Sequence, residues 1–125
     1  MRSHGLREDT LQYVFSVKIL PKLTYCSPAW LGFVNRSIIT QLEYFLKRAI
    51  KCKYYSEDKP DLQTLIRNQE ANLFKAVANN PAHCLYPLLP PLQSLPHNLR
   101  PRGHNFTLPS KDCRNFINRC LYEFK

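Results

Sequence analysis

Seven of the ten prolines lie between Pro81 and Pro109. Proline lacks a backbone N–H, and its ring clashes with the carbonyl four residues back, so no regular helix can cross such a stretch. The residues from about 81 to 109 therefore read as an extended, polyproline-like strap. Leu85, Tyr86, Leu88 and Leu89 make it too apolar for a free linker, so it is expected to lie over a folded body.

That body is expected to be helical. Asp9 is placed to cap a first helix that carries Leu11, Val14, Phe15 and Ile19 at helical spacing, and Pro21 is expected to end or kink it. Ser27-Pro28 looks like a second helix start, with Trp30, Leu31, Phe33 and Tyr25 as a plug for the core. The clearest helix runs from Ser37 to about Lys53. Ile38, Leu42, Phe45, Leu46 and Ala49 form its apolar stripe, and Glu43 stands four residues before Lys47, the favourable order for an ion pair.

Pro60-Asp61 opens a further helix whose stripe is Leu62, Leu65, Ile66, Gln69, Leu73 and Val77. Asn79-Asn80-Pro81 should stop it, with an asparagine in the left-handed cap. After the strap, a last helix from near Ser110 uses Phe116, Ile117, Cys120, Leu121 and Phe124. The expectation is an all-α fold of three to five helices. Residues 1–80 form a helical region, 81–109 the strap and 110–125 the last helix, within a single structural domain.

The chain has 125 residues, which suits one domain burying about two-thirds of its unfolded surface. An apolar share of 44% excludes pervasive disorder, and a net charge of +9 points to nucleic acid, an acidic partner or an anionic membrane surface. The five cysteines include no Cys-x-x-Cys pair, and no hydrophobic signal core follows the start, so reduced thiols in a nuclear or cytoplasmic, intracellular setting are expected. The longest apolar run, Leu11 to Leu20, is too short and polar to span a bilayer, and no membrane partner is expected.

Catalytic chemistry needs groups that converge. The aspartates Asp9, Asp58, Asp61 and Asp112 are scattered, without the close pair of two-metal phosphoryl transfer. Three glycines supply no phosphate-cradling loop, and there is no Gly-x-Ser-x-Gly elbow. A dyad of His83 or His104 with Cys113 has no spacing logic behind it. His83, Cys84, His97, His104, Cys113 and Cys120 are ligand types for zinc, but His97 and His104 are seven apart, as are Cys113 and Cys120, which fits no structural zinc pattern. Cys113 and Cys120 read instead as small apolar residues of the last helix. No catalytic residue, metal or cofactor is expected.

The cations carry more information. Lys47, Arg48, Lys51 and Lys53 form either a phosphate-tracking face or a solvated helix end that complements the macrodipole. In "NLRPRGHNFTLP", an extended chain would project Arg100 and Arg102 from one side, with Gly103 allowing close approach to a ligand. Alternatively one of these arginines pairs with Glu70 or Glu57 and pins the strap. Both readings stand at this point.

Three stretches in order form a resemblance. "LPKLTYCSPAWLGF" resembles the segment just past the polymerase core of non-LTR retrotransposon reverse transcriptases of the jockey-like and chicken-repeat-like kind. "QLEYFLKRAIKCKYY" is similar to their basic helix, with Lys47-Arg48 as its cationic pair. "NPAHCLYPLLPP", "HNLRPRGHNFTLPS" and "FINRCLYEFK" resemble their carboxy-terminal end, with its Leu-Arg-x-Arg-Gly-His, Leu-Pro and closing Phe-x-x-Arg. Thr24 departs from the glutamate many relatives carry between leucine and tyrosine.

The resemblance implies the thumb-side and terminal region of an RNA-directed DNA polymerase, whose fingers and palm would precede Met1. The Tyr-x-Asp-Asp of that family does not occur, so no enzymatic activity is expected of the chain on its own. The implied partners are RNA, DNA or an RNA–DNA hybrid gripped through phosphates, and the polymerase core in cis or in trans. Lys47, Arg48, Lys51, Lys53, Arg100 and Arg102 are the candidate phosphate contacts, and Tyr54 or Tyr55 a candidate stacking residue. Two other readings are a helical protein-interaction module using Leu85 to Leu92, and a decayed relic without selected function.

Overall fold

The computed structural model describes residues 5–94 and 103–125. The fold is all-α, with six α-helices among the described residues: α1 (Glu8–Val14), α2 (Leu20–Thr24), α3 (Ser27–Trp30), α4 (Arg36–Lys51), α5 (Leu62–Asn79) and α6 (Phe116–Glu123). No strand occurs among them; a single antiparallel bridge joins Leu92 to Phe106. No described helix is long and apolar enough to cross a membrane.

Two compact units share the chain. The first comprises the described residues up to Ser27 together with Val34–Arg67, and the second Pro28–Phe33 with Asn68–Lys125. One of the divisions between them falls inside α5.

In the first unit, Pro21 does not end the helix. A π-helical turn over Phe15–Ile19 connects α1 to α2, and Pro21 sits at the start of α2, where its missing N–H costs little. The Leu20 N–H donates to the Phe15 carbonyl, the wide π spacing that carries the chain into the proline. Asp9 lies inside the first turn of α1, with Arg7 as N-cap. Cys26, at φ 50°, makes the turn before α3. The Phe15 ring stacks on Phe45 at 6.2 Å and lies tilted against Tyr55 at 5.7 Å between ring centroids. Leu11, Leu46, Ala49, Leu62 and Ile66 are buried in the same unit, each large aliphatic chain contributing about 1.5–3 kcal/mol.

Helix α4 stops before Lys53 because the chain closes a Schellman cap there. The Tyr54 N–H donates to the Ala49 carbonyl (2.9 Å) and the Lys53 N–H to the Ile50 carbonyl (2.8 Å), with Lys53 left-handed at φ 60°. Glu43 does not take up Lys47: it accepts from Gln63 Nε2 at 2.5 Å, while Lys47 lies over the Tyr44 ring. Asp61 caps α5, accepting from the Thr64 N–H at 3.0 Å.

The second unit is built on Phe74, Ile117, Cys120 and Leu121, with Leu89, Phe106, Phe116 and Phe124 packed against them. The plug expected from the Trp30 region is only partly inside: Trp30 and Leu31 are half-buried, and Phe33 and, in the first unit, Tyr25 are exposed. Helix α5 buries Glu70 and Phe74, one position along from the expected Gln69 and Leu73. Neither Asn79 nor Asn80 is left-handed. Asn80 Oδ1 instead accepts from the Ala82 N–H in a local turn.

The strap is less uniform than its prolines suggest. Tyr86–Leu88 make a 3₁₀ turn. Residues 91–93 then pair with 105–107 through Gln93 N–H to the Asn105 carbonyl (2.7 Å) and Thr107 N–H to the Pro91 carbonyl (2.9 Å). Helix α6 begins six residues later than Ser110. Asn115 is its N-cap, accepting from Ile117 and Asn118 N–H groups, and Asp112 shapes the preceding turn by accepting from the Arg114 N–H. Cys113 is therefore outside the helix and exposed, whereas Cys120 is buried within it.

Candidate nucleic-acid interface

Successive residues of an α-helix are turned by about 100°. Arg36, Thr40, Tyr44, Lys47, Arg48 and Lys51 consequently fall within about 120° of the circumference of α4, opposite the buried Leu46 and Ala49. All six are exposed. No ion pair among the described residues involves Arg36, Lys47, Arg48 or Lys51, so four cations face solvent along a strip about 22 Å long. Glu43, at the edge of this face, has its carboxylate engaged by Gln63. Such a row attracts a polyanion and releases condensed counterions when it binds.

The remaining candidates divide. Lys53 is exposed, but the left-handed cap turns it off the helical row, and its Nζ lies 3.8 Å from Glu8. Tyr54 is half-buried. Tyr55 is 2% exposed, donates its hydroxyl to the Pro60 carbonyl at 2.8 Å and packs tilted against Phe15 inside the first unit, so its ring is not available to a base. Burial, with Asp61 and Asp58 nearby, pushes its phenol above the ordinary value. Arg100 and Arg102 lie outside the described residues.

Sequence reasoning missed Arg36, Thr40 and Tyr44. The signal was the helical register itself: counting back from Lys47 and Lys51 in steps of three and four reaches Tyr44, Thr40 and Arg36.

Below this face, Glu43, Lys47, Tyr55, Glu57, Lys59 and Asp61 help to line a groove of about 300 Å³. Its three carboxylates and two lysines give it mixed sign, whereas the named side chains of the α4 face include cations and no acid.

Near the strap, Gly103, His104 and Phe106 are used internally. Any side chain at Gly103 would collide with the Phe124 carbonyl, so this glycine brings the backbone against the chain's own terminus, not against a ligand. His104 Nδ1 accepts from the Phe106 N–H at 3.2 Å, which leaves Nε2 to donate to the Leu121 carbonyl at 2.9 Å. Glu70, one of the two carboxylates expected to pin Arg100 or Arg102, pairs with Arg119 at 2.6 Å.

The polar chemistry elsewhere is local. Asp9, Asp58, Asp61 and Asp112 accept hydrogen bonds from Thr10, Ser56, Thr64 and Arg114, respectively. His83 Nδ1 accepts from the Leu85 N–H. Burial pushes the Cys120 thiol up to about 12, making it a poor nucleophile at neutral pH. Among the described residues, no three His, Cys, Asp or Glu side chains come together as metal ligands.

No family model, curated protein or solved structure matches the chain.

Proposed function

We propose that this chain is a non-catalytic, thumb-side and terminal fragment of a non-LTR retroelement reverse transcriptase that grips nucleic-acid backbone through α4. The observation that carries the binding half of this reading is the exposed row of Arg36, Lys47, Arg48 and Lys51, without acidic partners among the described residues. The family half rests on the ordered likeness of the three quoted stretches. The chain acts by holding a strand or hybrid, not by reacting with it, and needs no cofactor to do so.

Four phosphate contacts on a duplex correspond to a log–log salt slope of about −3.6. Reversing Lys47, Arg48 and Lys51 to glutamate should weaken binding to an RNA–DNA hybrid and flatten the slope by about 2.7. Binding that is absent at low salt, or insensitive to salt and to that variant, would remove the proposal.

A second reading is favoured by one feature of the strap. Leu88 and Leu92 are 65% and 67% exposed, as a protein-docking segment would present them. Replacing both with serine would abolish capture of a protein partner under this reading and leave hybrid binding intact. Leu89 is not a useful probe, because it packs on the core.

A further inference from the structure

Tyr44 stands in the middle of the cationic row and is 65% exposed. An aromatic ring on a helix surface gains nothing from water there, and none of the apolar core of α4 needs it. Lys47 reaches back one turn to place Nζ 5.8 Å from the ring centroid. The arrangement thus couples a flat π surface to an ammonium, with Arg36 and Thr40 on one side along the helix and Arg48 and Lys51 on the other.

A phosphate backbone satisfies the cations whether the nucleic acid is single- or double-stranded. The ring is different. Bases inside a duplex are stacked on each other and offer no free face, whereas an unpaired base can lie on an aromatic side chain. Resting on the backbone-gripping role proposed for α4, we infer that Tyr44 is a base-stacking platform that makes this face select single-stranded nucleic acid. Lys47, over one face of the ring, leaves the opposite face to the base and holds the phosphate that flanks it. Tyr55 cannot serve, since its ring belongs to the core.

The test is a fluorescence-anisotropy titration of the full chain at low salt against a labelled twelve-nucleotide oligo(A) RNA and a duplex of the same length. Tyr44→Ala should weaken binding to the single strand about 5- to 100-fold and leave duplex affinity within about twofold. Tyr44→Trp should hold or improve single-strand affinity, and neither variant should alter the salt slope, because stacking involves no counterion. Far-UV circular dichroism of each variant checks the helix, and retained binding by Tyr44→Trp separates ring loss from misfolding.

If Tyr44→Ala binds the single strand like the parent, or weakens both ligands equally, the stacking inference is overturned. The backbone-gripping role survives that result provided Lys47→Glu with Arg48→Glu and Lys51→Glu still weakens both ligands. If the charge reversals change neither affinity, or the parent binds neither probe, the backbone role fails and the stacking inference with it.

Discussion

Arg119 and Glu70, 49 residues apart in sequence, form a two-pronged ion pair: Nη2 and Nε of the guanidinium lie 2.6 and 3.1 Å from the same carboxylate oxygen. The same guanidinium donates to the carbonyls of Pro28 (3.0 Å), Cys113 (3.2 Å) and Arg114 (2.9 Å). It joins α5, the Pro28–Phe33 segment and the turn before α6. Gly32 permits this approach, since any Cβ there would run into the Arg114 carbonyl and the Arg119 guanidinium.

Arg119→Ala would leave Glu70 buried without its counter-charge and three carbonyls without their donor. A loss of about 3–5 kcal/mol is expected in urea unfolding. Arg119→Lys should recover only part of it, because a point-like ammonium cannot reproduce the planar fork. The double replacement by methionine should be far less harmful than Arg119→Ala, since it removes both buried charges together. A double variant as unstable as the single one would show that the clamp acts through its carbonyl bonds rather than the ion pair.

Lys53 occupies a left-handed position that costs a side chain about 1 kcal/mol relative to glycine. Lys53→Gly is therefore expected to raise the thermal midpoint by about 3–6 °C. Its contact with Glu8 is long and exposed, so losing it offsets little. Differential scanning calorimetry reads the shift directly, and a lowered midpoint would contradict the Schellman cap. A cooperative transition in the parent would also count against the chain being a relic unable to fold by itself.

The Thr64 side chain and amide hold the Asp61 carboxyl below its usual range. Its folded value is thus lower than its unfolded one. The associated stability is present above the ordinary aspartate range and is lost as pH falls through the lowered folded value. Asp61→Asn keeps an acceptor at the cap but removes the proton linkage, so the acid limb of the stability–pH curve should become shallower. Urea midpoints measured between neutral pH and about pH 2 test this; an unchanged limb would assign the acid dependence to other carboxylates.

Much of the architecture was legible because it is local. Helices α4 and α5, the capping Asp61 and the stop at Asn79 follow from side chains within a turn or two of each other, although Ile38 and Phe45 of the expected α4 stripe stay exposed and α5 buries Glu70 and Phe74 in place of Gln69 and Leu73. The start of α6 was placed too early: an apolar-poor lead-in looks helical until Asn115 is recognised as the stronger cap. The continuation through Pro21 was missed because a π turn has no simple sequence signature. At the candidate interface, Lys47, Arg48 and Lys51 could be read from charge alone. Tyr44 could have been read from the helical register, whereas the burial of Tyr55, which lies beyond the end of α4, depends on what folds over it.

The sequence by itself determined an all-α chain, interrupted by a proline-rich strap, with a cationic helix at its centre. Helical periodicity, capping and the missing N–H of proline act over a few residues and need no partner. Only the tertiary structure decided that Arg119 is the partner of Glu70, that Gly103 meets Phe124, and that Tyr55 goes inside. Those choices depend on which distant surfaces exclude water together, and a buried charge or ring takes its place according to what closes around it.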